Sequence, residues 1–373
     1  MSGARRHIMM TTDAVGGVWT YAVMLTRALV SRGHRVTLVS LGPAPTDAQC
    51  RELAAGVDLI VTDLALEWMD PAGEDRLRAA ETLLSIAHTR RPDLIHLNSF
   101  REGAVAWPAP AIVVAHSCVM TWWQACRGCL PNEPRWLSYR ANVDAGLRAV
   151  DAWVAPTTAF RDVVQDLYAP PTQGVPIHNG VELPHGRELL PKRDVILASG
   201  RVWDPAKNLS EVVSAARDVC WPIEVAGPIT APRGEAVVNS DNVRLLGQLP
   251  RAQLLRRMGH AAIYVAPARY EPFGLGVLEA AREGCALVLS EIPSMRELWD
   301  GAALFVRPDD TAQLCDTLNR LTRDSVFRRE LQKLAQVCAR KYTIAATAGR
   351  YIELYDALLG RTISGAAHRE ARA

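Results

Sequence analysis

The sequence predicts an α/β protein built from two doubly wound domains, each a parallel sheet with helices on both faces, facing each other across a cleft. Three observations predict it. At 373 residues the chain exceeds the usual size of one domain. Short apolar runs alternate along it with segments of helical periodicity. The alternation is broken once, near the middle, by a polar stretch with two prolines and a glycine, and then resumes.

In chain order, His7–Thr12 reads as a buried strand and Val18–Arg32 as an amphipathic helix stopped by Gly33. Arg35–Ser40 is the next strand, so the chain opens as a strand-turn-helix-strand unit of a parallel sheet. Leu59–Thr62, Leu94–Leu97, Ala111–His116, Ala152–Ala155 and Val175–His178 complete the first series of strands. Residues 182–194 read as the linker. The second series has strands at Val195–Ser199, Ile223–Ala226, Val243–Leu246, Ala262–Ala266, Ala286–Leu289 and Ala303–Val306. Its helices fall near 208–219, 250–259, 275–283, 310–323 and 326–340. This organisation gives a first domain over 1–181 and a second over 195–342. A last helix at 343–360 has no strand to follow and is expected to cross back to the first domain, leaving 361–373 as a tail.

Composition narrows the function. Lys and Arg total 42 against 40 Asp and Glu, a net charge of +2. Neither half carries the basic excess of a nucleic-acid or anionic-lipid binder. The eight cysteines are scattered, and only Cys126-Arg-Gly-Cys129 has a metal-like or redox-like spacing, without the second pair that a structural zinc needs. They read as reduced thiols. No run of 18 apolar residues occurs, and Met1–Met10 lacks the length and cleavage pattern of a secretory signal. A cytoplasmic protein is expected, with peripheral membrane contact left open.

Ligands of open parallel sheets bind beyond the carboxyl ends of the strands, so residues just after strands matter most. Three clusters stand there. Asp13-Ala-Val-Gly16-Gly17 lies between the first strand and first helix, where glycines admit close backbone approach and a helix N-terminus favours an anion. Paired glycines at such a turn are as often structural. The spacing Gly-x-Gly-x-x-Gly is missing, which argues against NAD. The second cluster, Ser199-Gly200-Arg201-Val-Trp-Asp-Pro-Ala-Lys207-Asn208, brackets a loop with two cations that could neutralise a diphosphate without a metal. Lys207 is one of only four lysines. The plain alternative is a surface salt bridge with Asn208 as a helix cap. The third, Arg269-Tyr-Glu271-Pro-Phe273-Gly274-Leu275-Gly276-Val-Leu-Glu279, sets two carboxylates around a helix start. Free N–H groups there could serve a phosphate or sugar, and the carboxylates could accept from hydroxyls. The plain alternative is one capping and one solvated glutamate.

With these residues in view, the chain resembles the group 1 (family 4) glycosyltransferases over nearly its whole length. The resemblance runs from Gly16-Gly17 through Arg201…Lys207-Asn208 to Glu271-x7-Glu279, and includes His178-Asn179-Gly180-Val181 and Glu283-Gly284. It implies the GT-B fold of two Rossmann-like domains and a retaining transfer from a nucleoside-diphosphate sugar. Arg201 and Lys207 would hold the diphosphate, Glu271 the transferred sugar and Glu279 the ribose. Amides from Phe273, Gly274, Leu275 and Gly276 would touch sugar and phosphate, and Gly16 and Gly17 would meet the phosphate from the first domain. His116 matches the sugar-side histidine, so His116, Glu271, Arg201 and Lys207 carry the catalytic roles. No nucleophilic carboxylate is evident at the first-domain strand ends; because the resemblance implies retention, same-face transfer is expected, with the leaving phosphate taking the acceptor proton.

One departure concerns the loop after 286–290. Where the family often has glycines, this chain reads Glu291-Ile-Pro-Ser-Met-Arg296-Glu297, and Ser294 with Glu297 could form a capping box. No Asp-x-Asp pair occurs, so no metal and no cofactor are expected beyond the donor itself. Trp122, Trp123 and Arg127 suit a saccharide or glycolipid acceptor, or merely pack a helix on the core. The base, the sugar, the acceptor and the oligomeric state are not legible. Competing readings are a nucleotide-sugar epimerase or sugar phosphorylase on the same fold, and a non-catalytic nucleotide-sugar-binding protein.

Overall fold

The computed structural model describes residues 5–182, 189–230 and 241–370. The chain divides into two compact units. One takes in the residues up to Trp123, Cys129–Glu182 and the segment from Ile344; the other takes in Gln124–Gly128 and the span ending at Thr343.

The first unit contains β1 (His7–Asp13), α1 (Gly17–Val30), β2 (Arg35–Leu41), α2 (Asp47–Cys50), β3 (Val57–Val61), α3 (Arg76–Arg90), β4 (Leu94–Leu97) and β5 (Ala111–Val114). It continues through α4 (Val119–Arg127), whose last turn groups with the other unit, α5 (Pro134–Ala149), β6 (Ala152–Ala155), α6 (Thr158–Tyr168) and β7 (Val175–Pro176). All seven strands are parallel, in the order β3-β2-β1-β4-β5-β6-β7. Their residues are almost wholly buried in β1, β4, β5 and β6, as strands covered by helices on both faces must be.

The second unit contains β8 (Arg193–Ser199), α7 (Leu209–Ala215), β9 (Ile223–Ala226), β10 (Val243–Gly247), α8 (Arg251–His260), β11 (Ala261–Ala266) and α9 (Leu275–Arg282). It closes with β12 (Ala286–Ser290), α10 (Pro293–Trp299), β13 (Leu304–Val306), α11 (Thr311–Arg323) and α12 (Ser325–Ala339). Its six parallel strands run β10-β9-β8-β11-β12-β13. Ile196, Val225, Ile263 and Val288 from four of these strands pack with Val212, Leu314 and Leu318 from the helices in one core.

The final helix α13 (Ile344–Glu370) groups with the first unit. Its Thr347 hydroxyl donates to the His178 carbonyl, Arg32 donates to the Ala345 carbonyl, and Tyr355 hydroxyl meets His96 Nδ1 at 2.6 Å. Helix runs on to Glu370, through most of the segment read from sequence as a tail. No helix among the described residues is long and apolar enough to cross a membrane.

Part of the span read as a linker, 183–188, lies outside the described residues. Glu182 groups with the first unit, and residues 189–194 are built into the second. β8 begins at Arg193, and Lys192 donates to the carbonyls of Met258 (3.1 Å) and Glu283 (2.6 Å). One helix and one strand end differently from their sequence patterns. α7 stops at Ala215 and gives way to a 3₁₀ turn over Ala216–Asp218. β5 ends at Val114, which leaves His116 two residues beyond the strand.

Candidate functional site

In each sheet the strand order reverses between two neighbours, β1 and β4 in the first and β8 and β11 in the second. Connections leave such a pair in opposite directions and open a crevice beyond their carboxyl ends. In the second unit the loops that leave β8 and β11 carry Arg201 and Lys207, and Arg269 and Glu271, respectively.

The β8 loop is fixed from within. Asp204 is almost fully buried; its Oδ1 accepts from Ala206 N–H (2.9 Å) and its Oδ2 from Arg201 Nε (3.0 Å) and Nη2 (2.5 Å). The Arg201 guanidinium stands 5.7 Å from the Trp203 ring centre. Two glycines let the loop leave the sheet tightly. Gly227, with φ +144°, lies so close to Gly200 that a Cβ there would sit 1.8 Å from the Gly200 carbonyl oxygen. Gly200 itself has φ +151° and backs onto the Lys207 stem. Neither glycine's role follows from the sequence, because the contact joins residues on different strands.

Asn208 corrects the helix-cap alternative. It adopts a left-handed conformation, φ 53°, and makes no side-chain cap bond. Its amide instead donates to the carbonyls of Pro267 (2.9 Å) and Pro308 (2.5 Å), and its oxygen accepts from Arg269 Nε (3.0 Å). Asn208 therefore ties the β8, β11 and β13 loops together.

The β11 loop brings Glu271 to Lys207: Nζ donates to Oε2 at 2.5 Å, with both side chains about three-quarters buried or more. Gly274 caps α9 with φ +86°, a conformation that strains any residue with a Cβ. The first amides of α9, at Leu275 and Gly276, have no partner within the helix. A Cβ at Gly276 would lie 3.0 Å from the Tyr264 hydroxyl, which is paired with Ser199 Oγ at 2.6 Å. Strand ends and helix start thus converge on one spot. Phe273 is 4% exposed and its ring packs edge-on to Tyr342, so only its backbone is free to serve a ligand.

Ser294 does not form the capping box suggested by its sequence. It lies inside α10, whose cap position is Ile292 with no side-chain cap bond, and its hydroxyl donates to the Glu271 carbonyl at 2.5 Å. The departure from family glycines at this loop therefore supports the Glu271 backbone.

Glu279 lies on α9 and is engaged elsewhere. Its Oε1 accepts from Arg251 Nε (3.1 Å) and Nη2 (2.5 Å). Burial pushes the Glu279 carboxyl above its ordinary pKa, and Arg251 opposes that rise. Arg251 was not singled out from the sequence, although it stands four residues after β10, where the strand-end rule would have found it.

The first unit carries the remaining candidates. Gly16 caps α1, and a Cβ on either Gly16 or Gly17 would meet nothing within 4 Å. The α1 start is therefore open rather than packed. Past β5, His116 Nε2 lies 2.8 Å from Asn98 Oδ1, while the Asn98 amide donates to the Thr11 carbonyl at 2.6 Å. That chain makes His116 Nε2 the donor. Burial pulls the His116 pKa down to about 3, so the ring is neutral at ordinary pH and can position a hydroxyl but not supply a cation. Trp122 and Trp123 stack edge-on at 5.9 Å in α4, both half-buried, and Arg127 is exposed in its last turn. Cys126 and Cys129 are free thiols.

Three carboxylates that the sequence did not flag, Glu67, Asp70 and Glu102, stand beyond β3 and β4. Glu67 Oε2 accepts from the amides of Phe100 (3.1 Å) and Arg101 (2.8 Å). Arg101 donates to Glu102 (3.0 Å), Asp70 (2.8 Å) and the Ala65 carbonyl (2.7 Å). Burial and the nearby Glu102 push the Glu67 pKa up to about 7. With Arg101 and Glu102 only 2–3% exposed, this cluster pins the 65–70 loop to the end of β4.

Two parallel Rossmann-like sheets, with cations and carboxylates at the second switch point, define a GT-B glycosyltransferase. Residues 15–184 match Glycosyltransferase Family 4 and residues 193–324 match Glycosyl transferases group 1. The chain belongs to this family of glycosyltransferases. It is 24% identical over 326 residues to glycogen synthase of Mycobacterium tuberculosis, covering 76% of each chain. Among solved structures, sucrose-phosphate synthase from Thermosynechococcus elongatus matches with a TM-score of 0.80 at 18% identity, over 96% of this chain and 100% of that one. Anabaena HepE, solved with UDP and glucose, matches with a TM-score of 0.74 at 14% identity, over 95% of this chain and 100% of that one.

Proposed function

We propose that the enzyme moves a hexose from a UDP- or GDP-sugar to a saccharide or glycolipid acceptor, with retention and without a metal, in polysaccharide or glycoconjugate biosynthesis. The observation that carries this reading is the Lys207–Glu271 pair, set beside Arg201 at the switch point of the second sheet. A donor diphosphate would take Lys207 and Arg201 as counter-charges, and Glu271 would then accept from hydroxyls of the sugar. Fixed cations and the α9 amides would stabilise the charge that develops on the leaving diphosphate, commonly the largest catalytic contribution. The buried carboxylates Glu67 and Glu102 are committed to Arg101 and backbone amides, which leaves the leaving phosphate as the base for the acceptor proton. Neutral His116 would orient the sugar. The UDP held in the HepE structure supports a nucleoside-diphosphate sugar as donor.

The test is thermal melting of the purified protein with UDP, GDP, ADP and their sugar conjugates, with chelator present. A ligand at 100 times its dissociation constant stabilises by about 2.7 kcal/mol. Selective stabilisation by one diphosphate, followed by transfer that keeps the anomeric configuration, supports the proposal. Inversion would remove the retaining mechanism, and a strict metal requirement would remove metal independence. Donor conversion without acceptor would favour an epimerase, and a need for inorganic phosphate a phosphorylase.

A further inference from the structure

Arg251 occupies the first position of α8, directly after Pro250 at the cap. A cation there opposes the helix dipole, and no acidic residue in the first turn relieves it. The arginine is held there by Glu279. Both Nε and Nη2 lie on one carboxylate oxygen, Oε1, rather than spreading over two. Among the described residues nothing engages Glu279 Oε2 or Arg251 Nη1. The carboxylate is 9% exposed and the guanidinium 39%. The result is a buried acceptor with one oxygen clamped and one uncommitted, at the side of α9 that faces the start of α8.

We infer that Arg251 is a positioning residue for the nucleoside end of the donor: it clamps Glu279 Oε1 so that Oε2 is presented to the ribose hydroxyls. The inference rests on the reading of Glu279 as the ribose-side acceptor. Arg251 has two effects. It fixes the rotation of the carboxylate, and together with Arg282 it opposes the rise in pKa that burial and the nearby Glu283 impose. An ionised carboxylate accepts from a vicinal diol about twice as strongly as a neutral group.

The experiment measures binding of UDP, GDP and ADP, and of their 2′-deoxy and 3′-deoxy counterparts, to the wild-type chain and to Arg251→Ala, Arg251→Lys and Glu279→Ala. Donor kinetics are measured across pH. The wild type is expected to prefer a ribonucleotide over its deoxy forms by about tenfold or more. Arg251→Ala loses most of that preference, and its loss falls on KM rather than kcat. Its affinity recovers as pH rises, because without Arg251 only Arg282 opposes burial and Glu283, and the carboxyl ionises at higher pH. Arg251→Lys restores part of the preference. Full discrimination and a flat pH response in Arg251→Ala, with discrimination lost in Glu279→Ala, would overturn the inference and leave the site reading standing. Discrimination kept in both variants would overturn the ribose reading of Glu279. A wild type that binds none of the three diphosphates would overturn the donor site as a whole.

Discussion

Lys207 Nζ donates to Glu271 Oε2 at 2.5 Å, although 64 residues separate the two in the chain. Each neutralises the other in a partly buried setting, so neither substitution acts alone. Under the proposed function, Lys207→Ala would remove a diphosphate cation and leave Glu271 repelling the donor. We expect kcat/KM to fall by about 10²–10³. Under the same reading, Glu271→Gln would remove a sugar acceptor but free Lys207, and should cost less in donor binding than in kcat. The double variant should lose less than the two losses combined, because the unpaired-charge penalty is shared. Additive losses in steady-state kinetics would show that the pair is incidental to turnover.

Gly227→Ala tests the backbone beneath the same loop. Its Cβ would fall 1.8 Å from the Gly200 carbonyl, at φ +144°. Positive-φ strain and the clash together cost on the order of 2–5 kcal/mol. The second unit should melt about 5–15 °C lower, and donor binding should weaken as the Arg201 loop is pushed from its place. An unchanged melting curve would mean that the two loops do not meet as described.

Glu67→Gln tests the buried cluster in the first unit. The Glu67 pKa rises to about 7 on folding, through burial and then Glu102. Its folded pKa is raised, so its favourable contribution is complete below about pH 4.5 and is lost as pH rises through 7. The melting temperature of Glu67→Gln relative to wild type should therefore climb between those values and level off above them. A difference that stays constant with pH would show that Glu67 ionises unhindered.

The architecture was legible because strands buried on both faces read as apolar runs whatever their partners. The strands β1 and β8 and the helices α9, α11 and α12 were placed to within a residue or two. Helix ends were harder. Nothing in the pattern over 208–219 announces the change to a 3₁₀ turn at Ala216, and the polar residues after 360 hid a helix that continues to Glu370. At the site, Arg201, Lys207, Glu271 and Glu279 were visible because each follows a strand or opens a helix. Pairings were not visible. The sequence gives no hint that Ser294 serves Glu271 rather than its own helix, or that Arg251 holds Glu279, since both depend on side chains from separate elements meeting.

The first unit is closed by a segment made after the whole of the second. Tyr351 and Tyr355 on α13 lie beside Tyr21 and His96, near the opposite end of the sequence. A nascent chain that has reached Thr343 holds all of the second unit but only an unfinished first one, with the aromatic floor beneath β1 and β4 still uncovered. During synthesis the core of the first unit therefore cannot be completed until α13 has been made, after every segment of the second unit.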